Sequence, residues 1–566
     1  MQRLAEIIDE TEDPVQRSHL RLRQANRYRQ LQKRDPKRHP HEPLLSLIRE
    51  AIRDNPYSLE ARVLYAEQCV IAKRFYAAQR QAAYVLERFN KDNIRAKDVL
   101  FECALVERRF ADAEQILLDR YATSDPTSPL RHIGLARVRM ARGDYNEALK
   151  ELDIMESAAQ RGTVLTLLYH GLTESDWIPL TSARRLREHV NALQDAGFVF
   201  VSPLDIPRYA GLREGESALA AERKLPWLAR TIDSLVYQVS GYRRFRPEDS
   251  RDFRDEKPMK RVAITFDDGL RSSIMLGGEV ARYAGAPFGM FVITKPQKDY
   301  QPAVGGWEEF RKAVQSGNWI IGSHLYDAHN PAPVDREGRD VRLGLPNRLW
   351  LPEKNRIESM NEWDARMRRE FALSRQILKS EMREFDSAIP FCAYPYGDVG
   401  QESTCNLVGL RNPLKSIIGE AARHYSLGFV QSPSGYTTVG DSLMLSRRYE
   451  PRWNDEGADV VSAVYETHPV FLARKTRVDL ALLMNKPHMA EKMLFLLRRD
   501  GYPEALCREI EADVREHFRN IQAKAERPLV AARARRSDAG VEGDSDQPAD
   551  PTFDPFDPDV DPDAAA

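Results

Sequence analysis

Between residues 162 and 453 the chain repeats one pattern: short apolar runs of strand length, separated by longer amphipathic stretches. The runs fall at 163–169, 198–201, 261–266, 288–293, 319–321, 391–394, 426–430 and 443–447. A run that is apolar along its whole length belongs to a strand covered on both faces, and such strands alternating with helices build a parallel sheet. The stretch 182–196 is typical of the helices between them, with Ser182 placed to cap its start and Gly197 to end it. The predicted fold is α/β, a parallel or distorted (β/α) barrel over 162–453.

The polar residues of this region follow the strands. Thr265-Phe266-Asp267-Asp268-Gly269 ends one run with two adjacent carboxylates, which repel each other unless a cation or a proton is shared. Ser323-His324-Leu325-Tyr326-Asp327-Ala328-His329 follows a second run and supplies two imidazoles. Tyr394-Pro395-Tyr396-Gly397-Asp398 follows a third, and Tyr169-His170-Gly171 a fourth. A β/α barrel assembles its active site at the C-terminal ends of its strands, so all four clusters are expected on one rim. One carboxylate with two imidazoles is a recurrent set for a catalytic divalent metal with open positions. Asp268, His324 and His329 are therefore assigned as ligands, and Asp267 is left as a base. Zinc suits the ligand types; nickel, cobalt and iron accept the same mixed set.

The flanks read differently. Residues 1–50 are highly charged and carry one or two helices, with a break at Asp35-Pro36-Lys37-Arg38-His39-Pro40-His41. Over 51–161, Arg74-Phe75-Tyr76-Ala77-Ala78, Arg109-Phe110-Ala111-Asp112-Ala113 and Asp144-Tyr145-Asn146-Glu147-Ala148 recur roughly 35 residues apart. This resembles a tetratricopeptide repeat array of about three units, without that family's early Trp and Gly. Two readings of it are open: a helical cap on the next domain, or a concave surface for a protein partner. Residues 454–526 form a helical extension, and 527–566 an acidic Pro/Asp tail expected to be disordered.

With 84 Lys+Arg against 85 Asp+Glu, the formal net charge of -1 gives no basic field for nucleic acid. No apolar run of about 18 residues marks a transmembrane helix. The five cysteines are scattered and never in a C-x-x-C pair, which argues against a disulfide framework or a zinc-thiolate site. The acidic, amphipathic N-terminus lacks the features of a secretory signal, so a cytoplasmic location is expected. If residues precede this start, a periplasmic or cell-surface location is expected instead.

The motifs at 265–269, 324–329 and 394–397 resemble those of the polysaccharide deacetylases, the NodB-like carbohydrate esterases. The spacing H-x4-H and the segment Arg348-Leu349-Trp350-Leu351-Pro352-Glu353-Lys354-Asn355-Arg356 are similar to the poly-β-1,6-N-acetylglucosamine N-deacetylases of biofilm matrix synthesis. The resemblance covers roughly 163–450. It implies metal-dependent removal of N-acetyl groups from a β-linked N-acetylglucosamine polymer, with release of acetate. It also implies Asp267 as general base and the backbone N–H of Tyr396 as an oxyanion donor. The late Leu-x-His motif that supplies the general acid in the wider family is absent from 443–449. A circularly permuted arrangement gives that role to His170.

The same motifs also fit a deacetylase of chitooligosaccharide or peptidoglycan, and the repeats fit a scaffold for exopolysaccharide synthesis or export with weak catalytic activity. Tyr326, Trp350 and Tyr396, with Trp307, are candidates to stack on sugar. Three departures from the family stand out. Leu325 replaces a hydroxyl residue that braces the histidine loop. Ala393 stands where relatives carry an Arg that orients the base. No export signal accompanies the matrix-type motifs. His189 and His424 lie on helical stretches and are expected to be solvated.

Overall fold

The repeat register of the sequence is a register of helix pairs. In the computed structural model, which describes residues 2–35, 38–125, 128–176, 180–210, 260–295, 303–385 and 390–520, helices occupy most of the chain up to residue 161. These are α1 (Gln2–Glu10), α2 (Pro14–Arg34), α3 (His41–Asp54), α4 (Leu59–Ile71), α5 (Phe75–Arg88), α6 (Ile94–Val106), α7 (Phe110–Ser124), α8 (Arg131–Arg142) and α9 (Tyr145–Arg161). Helix α4 packs on α5, α6 on α7, and α8 on α9. The repeated alanines Ala78, Ala113 and Ala148 are fully buried, because each sits where its helix meets a neighbour and a larger side chain has no room. Each pair turns through a left-handed residue, at Lys73 (φ 60°), Arg108 (φ 59°) and Gly143 (φ 87°). The next N–H then reaches back five residues, from Arg74 to Cys69 O, Arg109 to Ala104 O and Asp144 to Arg139 O. That is a helix C-cap normally marked by glycine. Here only the third copy has one, so the turn is hidden in the first two.

The sheet starts at Thr163. Its strands are β1 (Thr163–Tyr169), β2 (Val199–Phe200), β3 (Arg261–Phe266), β4 (Phe288–Val292), β5 (Trp319–Ser323), β6 (Phe391–Ala393), β7 (Leu427–Gln431), β8 (Tyr436–Thr438) and β9 (Ser446–Arg448). They lie in the order β8-β1-β3-β4-β5-β6-β7-β9, with β2 beside β3. Neighbours are parallel except β8, which runs antiparallel to β1. The ring is closed by Tyr449, whose N–H donates to Thr166 O (2.9 Å) and whose carbonyl accepts from Leu168 N–H (2.8 Å). The result is a nearly closed barrel of parallel strands. Every residue of β1 is buried, as expected of a strand enclosed on both faces. Inside, Phe291 meets Phe391 and Phe429 edge to face, each with ring centroids 5.3 Å apart.

Two sequence expectations need correction. The run at 443–447 is not one strand: Leu443–Leu445 form a 3-10 turn, and β9 begins only at Ser446. All three turn residues are buried, so their apolar character reflects burial and mimics a strand. His189 is on a helix, α10 (Ala183–Asp195), but is fully buried, not solvated. Its Nε2 donates to Asp455 O (2.8 Å) and its Nδ1 accepts from the Tyr169 hydroxyl (2.9 Å). This fixes a neutral imidazole, and burial lowers its pKa. The α10 cap is as read, with Ser182 Oγ accepting from Arg185 N–H.

Crossover helices include α11 (Arg271–Ala284), α12 (Trp307–Gln315), α13 (Met360–Glu381) and α14 (Pro413–Ala421). Behind the sheet come α15 (Gly457–Glu466), α16 (Pro469–Leu483) and α17 (Pro487–Arg499). Residues 511–520 are helical as a separate unit. The tail expected at 527–566, and the last residues of the expected extension from 521, lie outside the described residues. Among the described residues, no helix is long and apolar enough to cross a membrane.

Helix α16 ties the rear of the molecule to the repeats. Glu156 of α9 accepts from Arg474 Nε (2.9 Å) and Arg477 Nε (3.1 Å), and Arg474 also bonds Asp500. Arg474 and Asp500 are fully buried, and Glu156 and Arg477 nearly so. Removing one partner of a buried ion network strands the others without counter-charge, at about 3–5 kcal/mol. Glu156→Ala is therefore expected to lower the thermal unfolding midpoint by several degrees and speed proteolysis within α15–α17, whereas the exposed Glu147→Ala is expected to change neither.

Candidate active site

The chain reverses sharply after β3. Asp267, just past the strand, donates its N–H to Tyr169 O (3.1 Å), so the ends of β1 and β3 stay in register. Asp268 (φ 69°) and Gly269 (φ 68°) then take left-handed backbone conformations. A Cβ on Gly269 would also press on Val292 and Phe310, each at 3.1 Å. This turn swings the two carboxylates apart. Asp267 goes into the barrel, 3% exposed, and Asp268 to its rim.

The loop after β5 brings the histidines to Asp268. His324 Nε2 lies 3.5 Å from Asp268 Oδ1, and His329 Nε2 lies 3.1 Å from the same oxygen. Ligand atoms of all three residues fall within 4.8 Å of one another. Tetrahedral zinc with bonds of 2.0–2.1 Å places neighbouring ligand atoms about 3.3 Å apart. The donor chemistry also fits a cation. His324 Nδ1 donates to Ala393 O (3.0 Å), which leaves its Nε2 lone pair facing Asp268. Burial lowers the His324 pKa and so favours the neutral ring that a ligand must be. Asp268 Oδ1 is buried with no hydrogen-bond donor aligned on it. Burial opposes ionisation of Asp268, but contact with His329 and the neighbouring His324 and His170 imidazoles bring its pKa down to about 2.

The histidine loop is braced by a residue that sequence reasoning missed. Glu370 of α13 accepts from the backbone N–H groups of Tyr326 (2.6 Å), Asp327 (2.7 Å) and Ala328 (2.9 Å). One carboxylate thus sets the curvature of the H-x4-H segment. Leu325, in place of a hydroxyl residue, turns into the core, fully buried and left-handed at φ 64°. No local motif announces Glu370; its charge is spread within the polar-looking helix Met360–Glu381.

The missing arginine is supplied from elsewhere. Arg448, the last residue of β9, grips Asp267 with both ends of its guanidinium, Nη1 to Oδ1 at 2.6 Å and Nη2 to Oδ2 at 2.9 Å. It is fully buried, and its guanidinium carbon lies 5.2 Å from the Phe291 ring centroid. A planar fork on a carboxylate fixes orientation as well as charge. Burial works against an ionised Asp267. Arg448, with His324 and His170, overcomes it and lowers the pKa below the usual carboxylate value.

His170 follows β1, in register with Asp267 after β3. Its Nδ1 lies 2.9 Å from Glu450 Oε1, and both side chains are 37% exposed. Burial alone would lower the imidazole pKa; the Glu450 hydrogen bond and the charges of Asp267, Glu450 and Asp268 raise it to about 9. Gln431 Nε2 in turn donates to Glu450 Oε2. Arg448 and Glu450 stand in the sequence as Arg447-Arg448-Tyr449-Glu450, which reads as an ordinary charged strand end.

Tyr396 is also left-handed, at φ 58°. Its ring stacks on His329, with centroids 5.1 Å apart and planes at 21°, and the residue is 48% exposed. The other aromatic candidates are dispersed. Tyr326 is half-buried and anchored through its backbone to Glu370. Trp350 sits in a two-stranded ribbon, paired with Ile357 and outside the main sheet. Trp307 opens α12 and packs edge to face on Phe310. The structure thus gathers Asp267, Asp268, His324, His329, His170 and Tyr396 at one end of the barrel, and adds Arg448, Glu450 and Glu370.

Residues 254–411 match the family model described as polysaccharide deacetylase. No curated protein matches the sequence. Among solved structures, the chain is similar to a de-N-acetylase from Aggregatibacter actinomycetemcomitans, at 16% identity and TM-score 0.37 over 53% of this chain and 99% of that one. It is also similar to IcaB from Ammonifex degensii, at 18% identity and TM-score 0.33, over 56% and 98% of the two chains. The BpsB deacetylase domain from Bordetella bronchiseptica aligns at 18% identity and TM-score 0.28, over 45% and 94%. The segment that matches the polysaccharide deacetylase model holds Asp267, Asp268, His324, His329 and Tyr396.

Proposed function

We propose that this enzyme hydrolyses N-acetyl groups of a β-linked N-acetylglucosamine polymer, poly-β-1,6-N-acetylglucosamine, in a metal-dependent reaction. One observation carries the reading: an Asp-His-His cluster whose atoms could hold a metal is flanked by an Arg-held carboxylate and a Glu-held imidazole, tuned in opposite directions. That is the pairing expected of a base and an acid working on one bond.

A divalent cation, zinc by its donor set, would be held by Asp268, His324 and His329 and would polarise the acetyl carbonyl and the attacking water. Asp267, kept ionised by Arg448, accepts the proton of that water as its oxygen adds to the carbonyl carbon. The backbone N–H of Tyr396 donates to the oxygen that gains negative charge, a contact of a kind worth about 3–4 kcal/mol in related chemistry. His170, protonated below about pH 9 through Glu450, donates its proton to the amide nitrogen as the carbon–nitrogen bond breaks. Acetate and a free amine on the polymer result. His170 is then reprotonated and Asp267 gives up its proton, so the site returns to its starting charge.

Acetate release, measured in parallel on poly-β-1,6-N-acetylglucosamine, chitin oligomers and peptidoglycan, tests the substrate. Release from either of the last two but not the first would move the assignment to them. Asp268→Asn is expected to lose bound metal, read by elemental analysis, and to lower kcat/KM by about 100-fold or more. Wild-type metal content and activity in that variant would overturn the metal centre. For the acid, activity should fall as pH rises through the His170 pKa, because the proton to be donated is lost there. Glu450→Gln removes the charge that raises that pKa, so the alkaline limb of the kcat profile should move down by about one unit or more. An unmoved limb would assign the acid to another group.

A further inference from the structure

A cavity of about 290 Å³ opens beside the catalytic cluster. Two of its walls belong to the site: Tyr396, whose ring stacks on His329, and Glu450, which holds His170. The far wall is the loop through Asp398, Gln401 and Glu402, and Tyr449 and Gln431 are among the other lining residues. This loop is set in place by the helical repeats. Asn90 Nδ2 donates to Gly400 O (2.9 Å) and Ser403 O (2.7 Å), Asn93 Nδ2 to Glu402 O (2.6 Å), and Ile94 N–H to Gln401 O (3.0 Å). Asn90 and Asn93 are both buried, so these bonds are a built junction between the repeats and the cavity wall.

Most polar groups of the wall are already used. Gln401 spends both ends of its amide on Val399 N–H and Gly397 O, and Asp398 accepts from Gly400 N–H. Glu402 differs: its half-buried carboxylate has no hydrogen-bond or ion-pair partner among the described residues. The charged groups nearest in effect are Asp398, Arg95, Glu60 and Glu67, and Arg120. Arg95 is committed to Glu60 and to both oxygens of Glu67, and Arg120 pairs with Asp98. Burial, and then Asp398, raise the Glu402 pKa to about 7, as expected of an acid short of a cation.

We propose that this cavity is a subsite for the sugar next to the one being deacetylated, and that Glu402 makes it selective for a neighbour carrying a free ammonium group. The inference rests on the deacetylase reading above and deepens it. A pocket of one-sugar size, continuous with the reacting centre and walled by two tyrosines, suits a hexosamine ring. Its unpartnered carboxylate suits the cation that the reaction itself creates on that ring. An amine formed in one turnover can occupy this subsite in the next, so free amines accumulate in neighbouring residues rather than at random. The repeats then act in catalysis by holding the selective loop.

The test uses the full chain with metal and two sets of short β-linked oligomers, fully N-acetylated or with one free amine beside an acetylated residue. Acetate release by the wild type should favour the second set by about tenfold in kcat/KM. Glu402→Gln should bring the ratio to within about twofold, and Glu402→Asp, which keeps the charge, should restore part of it. A wild-type ratio near one, or a preference unchanged in Glu402→Gln, overturns the subsite. Failure to release acetate from either set, with metal bound, removes the deacetylase reading itself and the subsite with it.

Discussion

Two backbone hydrogen bonds between Tyr449 and β1 close the barrel, and the site depends on that closure. It lays the end of β9 against the end of β1, which is itself in register with β3. Three residues from distant parts of the chain are thereby forced together: His170 after β1, Asp267 after β3, and Arg448 at the end of β9. The barrel interior would reject a lone carboxylate such as Asp267. A buried arginine brought by the last strand makes it tolerable and fixes its direction. Closing the sheet and pairing Asp267 with Arg448 are thus one event.

Strain gathers at the same end. Asp268, Leu325 and Tyr396, none of them glycine, hold left-handed backbone conformations, and each lies in a separate site loop. Such conformations cost free energy that neighbouring structure must offset. The Glu370 bonds hold the loop of Leu325, and the stack on His329 holds Tyr396. At Gly397 the following turn runs so close to Gln431 that a Cβ would lie 2.2 Å from its backbone nitrogen. The clustered side chains are therefore placed by over-determined backbone, which favours a preorganised site over one assembled on binding.

How much of the molecule is legible in the sequence follows physical range. The strands at 163–169 and 261–266 can be read because a strand buried on both faces is mostly apolar. The cluster of Asp268, His324 and His329 can be read because each follows such a strand within a few residues. Arg448, Glu450 and Glu370 cannot. Each acts on a partner from a remote segment, and each looks locally like solvated charge. The short strand Tyr436–Thr438 escapes for a related reason: two of its three residues are threonines, buried only because β1 lies alongside. His189 misleads because helix position alone does not reveal the Tyr169 hydroxyl waiting on the preceding strand. The left-handed turns at Lys73 and Arg108 leave no glycine to mark them.

The pairing of β1 also has a consequence for the order of events during synthesis. The helix pairs before it make mostly neighbouring contacts and can fold as they emerge. Strand β1 cannot: its parallel partner β3 begins at Arg261, and its antiparallel partner Thr438 lies 275 residues beyond Thr163. A seven-residue, mostly apolar segment thus leaves the ribosome long before its strand partners exist, the kind of segment that aggregates when left open. The repeat array immediately upstream, covalently joined through Gly162, is a helical surface at hand to shield it while the rest of the barrel is made.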